Sequence, residues 1–145
     1  FRTACGARRW VDAMVSSRPY RTVEGLLEAA DRSFDHLSEE DWLEAFAAHP
    51  RIGERGDAIA SKEQAGASSA SREVINRLAE VNRAYEERFG FIYIVFASGK
   101  TADEMLAIAE KRLTNSRDEE VANAAAEQRK ITIRRLRRMA CQEAG

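Results

Sequence analysis

The run Phe91-Ile92-Tyr93-Ile94-Val95-Phe96-Ala97 is dense in β-branched and aromatic residues, and it stands alone. A strand satisfies its backbone through a partner, yet no second segment has comparable β character. The remaining apolar residues recur at the spacing of a helix. The chain is therefore expected to be all-α, a single-domain multi-helix bundle. Residues 91–97 are expected to form one extended or irregular buried segment, unless tertiary packing forces them into a helix.

Segment 7–16 places Trp10, Ala13 and Met14 on one face and stops before Pro19. Segment 22–37 carries Leu26, Leu27, Ala30, Phe34 and Leu37. Ser38 reads as an N-cap, because Glu39, Glu40 and Asp41 fill the first turn, where the helix dipole favours negative charge. The helix so begun aligns Trp42, Phe46 and His49, and it must end near Pro50. Residues 51–60 read as a loop. Ser71 to Arg88 is amphipathic, with Val74, Leu78, Val81 and Tyr85 on one side. Two capping boxes, Thr101 with Glu104 and Ser116 with Glu119, start helices over about 101–113 and 117–141.

With 145 residues the chain suits one domain, residues 1–145, large enough to sustain a core without cross-links. Twenty-three Lys and Arg against 24 Asp and Glu give a net charge of −1, so nothing in the overall balance points to nucleic acid. The one dense basic stretch holds Arg129, Lys130, Arg134, Arg135, Arg137 and Arg138. The longest apolar run, Phe89 to Ala97, is about half of what a membrane helix needs. Phe1 is not a start methionine and no secretory h-region follows it, so the expectation is a trimmed cytoplasmic chain. Cys5 and Cys141, without metal-ligand spacing, are expected to be free thiols.

Few residues are suited to acid–base work. His36, beside Asp35, reads as a surface histidine. His49 shares the stripe of Trp42 and Phe46 and falls in the last turn of its helix, where the dipole favours imidazolium. It is either a satisfied structural histidine or a catalytic one. In the last helix Arg135 falls between Ile131 and Met139 on the apolar stripe, whereas Arg134, Arg137 and Arg138 point elsewhere. A guanidinium taken out of water needs a core acid or a bound anion, and its planar fork matches a carboxylate. Ser61-Lys62-Glu63-Gln64-Ala65-Gly66 supplies a hydroxyl, a carboxylate and an amide, as either a helix cap or a pocket wall.

The order of these motifs resembles one family. His49-Pro50-Arg51-Ile52-Gly53, then Glu63-Gln64-Ala65-Gly66, then Tyr85 with Phe89-Gly90-Phe91, then Tyr93 to Ala97, and finally Arg135 are similar to the 2-oxo-4-hydroxy-4-carboxy-5-ureidoimidazoline (OHCU) decarboxylases of urate breakdown. The likeness runs from about Arg8 to Met139. It implies an all-α domain, a homodimer, no metal or organic cofactor, and conversion of OHCU to (S)-allantoin in purine metabolism. It also implies His49 as the catalytic histidine with Pro50 beside the substrate. Glu63 and Gln64 would hold the ring and ureido groups, Tyr93, Ile94, Val95, Phe96 and Ala97 would bind substrate through the main chain, and Arg135 would complete the site. The family pattern has a serine three residues before the glutamate, where Ala60 stands here. Ser61 and Lys62 are carried as candidate substrate contacts. Two other readings stay open: a helical interaction module using the basic stretch at 129–138, and a decarboxylase of a related ureido or imidazoline carboxylate.

Overall fold

A computed structural model describes residues 1–50 and 69–144. Six helices run through them: α1 (Arg8–Ser16), α2 (Val23–Phe34), α3 (Glu39–Ala47), α4 (Ser69–Phe89), α5 (Ala102–Arg112) and α6 (Arg117–Ala144). No strand forms among the described residues, and the β-rich run at 92–97 is neither helical nor paired. The chain divides into two compact units, Phe1–Ala48 with Asn123–Gly145, and His49–Ala122. Helix α6 begins in the second unit and continues into the first.

The first unit is built on a column of aromatic rings. Trp10 stacks on Phe34 at 5.5 Å, Phe34 on Trp42 at 5.3 Å, and Trp42 on Phe46 at 6.2 Å between centroids. All four are buried, and the indole N–H of Trp10 donates to the Ala30 carbonyl at 3.0 Å. Pairs of this kind add about 0.5–1.5 kcal/mol each to the burial of their rings. Ser38 caps α3 in a reciprocal box with Asp41, and Thr22 caps α2 by accepting from the Gly25 N–H. No side chain of its own N-cap residue caps α1. The carboxylate of Glu44 on α3 accepts instead from the Arg8 main-chain N–H at 2.7 Å, placing negative charge at the helix start.

Helix α6 is tied to α2 and the turn after it through Arg129. Arg129 donates to Asp31 at 3.0 Å and Asp35 at 3.1 Å, with its guanidinium 5.3 Å from the centre of the Phe34 ring. Lys130 pairs with Glu127 at 2.8 Å. Within the basic stretch, then, Arg134, Arg137 and Arg138 remain exposed, while Arg129 and Lys130 are committed to acids of the same unit. Helix α2 ends at Phe34, three residues before the apolar pattern does. The N–H of Leu37 bonds back to the Phe34 carbonyl, and Leu37 stays half-buried in the turn beyond the helix.

In the second unit α4 packs on α5. Leu78, Val81, Tyr85 and Phe89 form the buried stripe of α4, and Gly90 follows with φ +83°, a left-handed conformation that ends the helix without a Cβ clash. The expected capping boxes form at Thr101 with Glu104 and at Ser116 with Glu119. Cys5 and Cys141 are free thiols, and His36 is exposed. Among the described residues no helix is long and apolar enough to cross a membrane.

Candidate functional site

The stretch Tyr93–Ala97 runs through the second unit with Tyr93, Ile94 and Val95 buried, Phe96 half-buried and Ala97 exposed. Having no ladder, its backbone takes partners from side chains. The guanidinium of Arg112 donates to the Ile94 carbonyl at 2.8 Å, and the Tyr93 hydroxyl donates to the Met105 carbonyl at 3.0 Å. At the exposed end the Lys100 ammonium donates to the Phe96 carbonyl at 2.8 Å.

Arg112 belongs to a buried network absent from the sequence reading. Its Nε donates to Glu120 at 2.6 Å, and its remaining nitrogen donates to the Tyr85 hydroxyl at 3.3 Å. Tyr85 in turn donates to Glu120 at 2.5 Å, and Asn115 donates to the second Glu120 oxygen at 2.7 Å. Arg112 is 7% exposed and Glu120 0%, so both charges have left water and each depends on the other. The guanidinium also lies 5.0 Å from the Tyr93 ring centre and 5.7 Å from that of Tyr85. Burial, reinforced by the Glu120 carboxylate, pushes the Tyr85 phenol well above its ordinary range and keeps it a donor. One sequence signal pointed here. Arg112 follows Met105 and Ala109 on the buried stripe of α5, the same logic that singled out Arg135.

Arg135 lies in the first unit and is half-buried, as its place on the stripe required. Its partners are not acids. One terminal nitrogen donates to the carbonyls of Thr3 at 3.4 Å and Ala4 at 3.3 Å, in the turn that opens the chain. That turn is held from α6 as well. Buried Gln128 donates to the Thr132 hydroxyl at 3.0 Å, which donates to the Ala4 carbonyl at 3.2 Å. Among the described residues Arg135 makes no ion pair, and its Nε and other terminal nitrogen make no hydrogen bond. Burial pulls this guanidinium below its ordinary value, with the nearby Cys5 opposing that shift. Toward the described residues it is a cation partly removed from water with one donor edge uncommitted, and a planar fork of this kind matches two oxygens of an anion.

His49 does not lie in the last helical turn. Helix α3 ends at Ala47 with Ala48 as its C-cap, and His49 follows at a bend, half-buried, before exposed Pro50. The cause is Pro50, whose ring disfavours helical backbone in the residue before it. The residue just ahead of His49, Ala48, is exposed but closely faced by Gly6. A Cβ on Gly6 would come within 2.6 Å of the Ala48 Cβ, so the opening turn and the end of α3 approach as only glycine allows. Ser61, Lys62, Glu63 and Gln64 lie outside the described residues. A cavity of about 960 Å³ in the first unit is lined by Phe1, Tyr20, Leu26 and Met139 among others, but by no carboxylate, no imidazole and none of the site residues expected from the sequence.

Comparison with known proteins gives a consistent picture. The model of the family described as OHCU decarboxylase matches residues 1–137. The chain is 34% identical to "Uric acid degradation bifunctional protein TTL" of Arabidopsis thaliana, over 96% of this chain and 46% of that protein, so it spans less than half of the plant relative. It is 33% identical to "2-oxo-4-hydroxy-4-carboxy-5-ureidoimidazoline decarboxylase" of Haloferax volcanii, over 83% of this chain and 74% of the relative. A crystal structure of OHCU decarboxylase in the presence of (S)-allantoin matches with a TM-score of 0.84 and 35% identity, over 95% of this chain and 94% of the other.

Proposed function

Because the chain belongs to the OHCU decarboxylase family, we infer that it is a carboxy-lyase of urate degradation that converts OHCU to (S)-allantoin. The observation that supports this most directly is Arg135, anchored through one nitrogen and not bonded along its other edge by any described residue. A planar fork of that kind suits the carboxylate or a ring oxygen of OHCU.

The chemistry asks little of the protein beyond placement and a proton. Loss of CO₂ leaves an electron pair on the ring carbon, and the adjacent C=N bond of OHCU accepts it, so the substrate supplies its own electron sink. His49 is the general acid or base that assists the charge shift and delivers a proton to one ring face. Glu63 orients the imidazole and, with Gln64, Ser61 and Lys62, holds ring and ureido N–H and C=O groups. Pro50 abuts the substrate. Tyr93, Ile94, Val95, Phe96 and Ala97 offer main-chain polar groups and an apolar wall. The chain works as one domain, as a homodimer, in the cytoplasm.

A substrate panel tests the reading. OHCU freshly generated in the cuvette, 5-hydroxyisourate and allantoate are each offered to the purified chain. Consumption of OHCU well above its spontaneous decay, with the other two untouched, is the expected result. Turnover of allantoate instead would redirect the assignment to a related ureido carboxylate.

A further inference from the structure

We propose that Arg112 is a positioning residue for the substrate-binding stretch: it fixes the Ile94–Val95 peptide from behind without touching the substrate. The proposal rests on Tyr93–Ala97 being that stretch. Arg112 is 7% exposed, each of its three nitrogens already donates to Glu120, Ile94 or Tyr85, and rings of Tyr93 and Tyr85 lie beside it, so it acts through these partners and not by contact with a ligand. What it controls is direction. The guanidinium is planar and rigid, so binding Glu120 at 2.6 Å and Tyr85 at 3.3 Å determines where the third nitrogen points, and there it meets the Ile94 carbonyl at 2.8 Å.

The consequence passes through the peptide bond. A trans peptide is flat, with its C=O and N–H pointing opposite ways. Holding the Ile94 carbonyl toward Arg112 therefore aims the Val95 N–H away from it. No helix or strand ladder sets that plane in this run, so the side-chain clamp sets it. Glu120 takes part by orienting the guanidinium, and it is in turn held by Asn115 at 2.7 Å.

The test compares Arg112→Lys, which keeps the charge but loses the fork, with the double variant Arg112→Met/Glu120→Gln, which removes both charges and keeps an oxygen for Tyr85. Leu78→Ala, a core truncation of the same unit, controls for destabilisation alone. KM and kcat for OHCU are measured, together with amide hydrogen exchange by NMR. Both Arg112 variants are expected to raise KM about tenfold with kcat within about threefold, and to speed exchange selectively at residues 93–97. Leu78→Ala is expected to leave KM unchanged. A folded Arg112 variant with wild-type KM, or an equal rise in Leu78→Ala, overturns the proposal. Should the unaltered chain not consume OHCU, the decarboxylase reading fails. The exchange measurement still decides positioning, because selective loss of protection at 93–97 supports it and a uniform change across the unit refutes it.

Discussion

Arg135 reaches back to the carbonyl of Ala4, 131 residues earlier, with one terminal nitrogen at 3.3 Å, and leaves the opposite edge of its guanidinium unbonded by any described residue. Two long hydrogen bonds to carbonyls add little stability, whereas a charge-assisted bond to a substrate anion is worth about 1.5–3 kcal/mol. Arg135→Met should therefore lower kcat/KM for OHCU by roughly 10- to 100-fold while leaving the melting temperature nearly unchanged. Steady-state kinetics beside thermal denaturation reads both.

His49→Asn should retain the helical far-ultraviolet spectrum and lose about 10²- to 10⁴-fold in kcat. Asparagine keeps a hydrogen-bonding group but cannot cycle a proton near neutral pH. Equal kcat in the variant would remove His49 from the reaction.

Gly6→Ala should act from a distance on the same group. The added methyl meets Ala48 at 2.6 Å, and neither backbone has a flexible side chain to yield. Overpacking of this kind costs about 1–3 kcal/mol, and a displacement of about 1 Å near a reacting group costs roughly 10²-fold in rate. Denaturant unfolding and kcat should both report the change.

The buried pair of Arg112 and Glu120 should be asymmetric under mutation. Arg112→Met strands a carboxylate that is 0% exposed and should cost about 3–5 kcal/mol. Adding Glu120→Gln removes the stranded charge, so the double variant should recover a large part of that loss in urea unfolding. A double variant no more stable than the single one would contradict this.

Asp41 and Glu44 set part of the acid sensitivity. The Ser38 main-chain N–H chiefly holds Asp41 below its ordinary 3.8, and the Arg8 main-chain N–H chiefly holds Glu44 below its ordinary 4.5. At acidic pH both carboxyls bind more protons unfolded than folded. Their contribution is therefore complete above those ordinary values and disappears as pH falls through the lower folded ones. Asp41→Asn and Glu44→Gln should flatten the decline of the urea midpoint on acidification, and an unchanged slope would exclude the two carboxylates as its source.

Local signals carried most of the fold. Caps at Ser38, Thr101 and Ser116 are read within four residues, and the stripe of Leu78, Val81 and Tyr85 within two turns, so all of them appear where expected. The unpaired run at 91–97 announced itself by lacking a partner. Long-range facts were not legible. Periodicity placed Arg135 on the buried side of α6, but the Thr3 and Ala4 carbonyls that receive it follow only from the tertiary fold. Arg112 and Glu120 sit on different helices, and in the sequence Glu120 is one of three consecutive acids in a first turn. For His49 the apolar stripe ran past the true helix end, because Pro50 limits backbone conformation without changing the spacing of side chains.

The handedness of the allantoin formed from freshly generated OHCU, followed by circular dichroism, bears most directly on the decarboxylase assignment. Spontaneous decay gives a racemate. The unaltered chain is expected to yield an excess of the (S) enantiomer at a rate proportional to its concentration. A racemic product at the spontaneous rate would contradict the assignment.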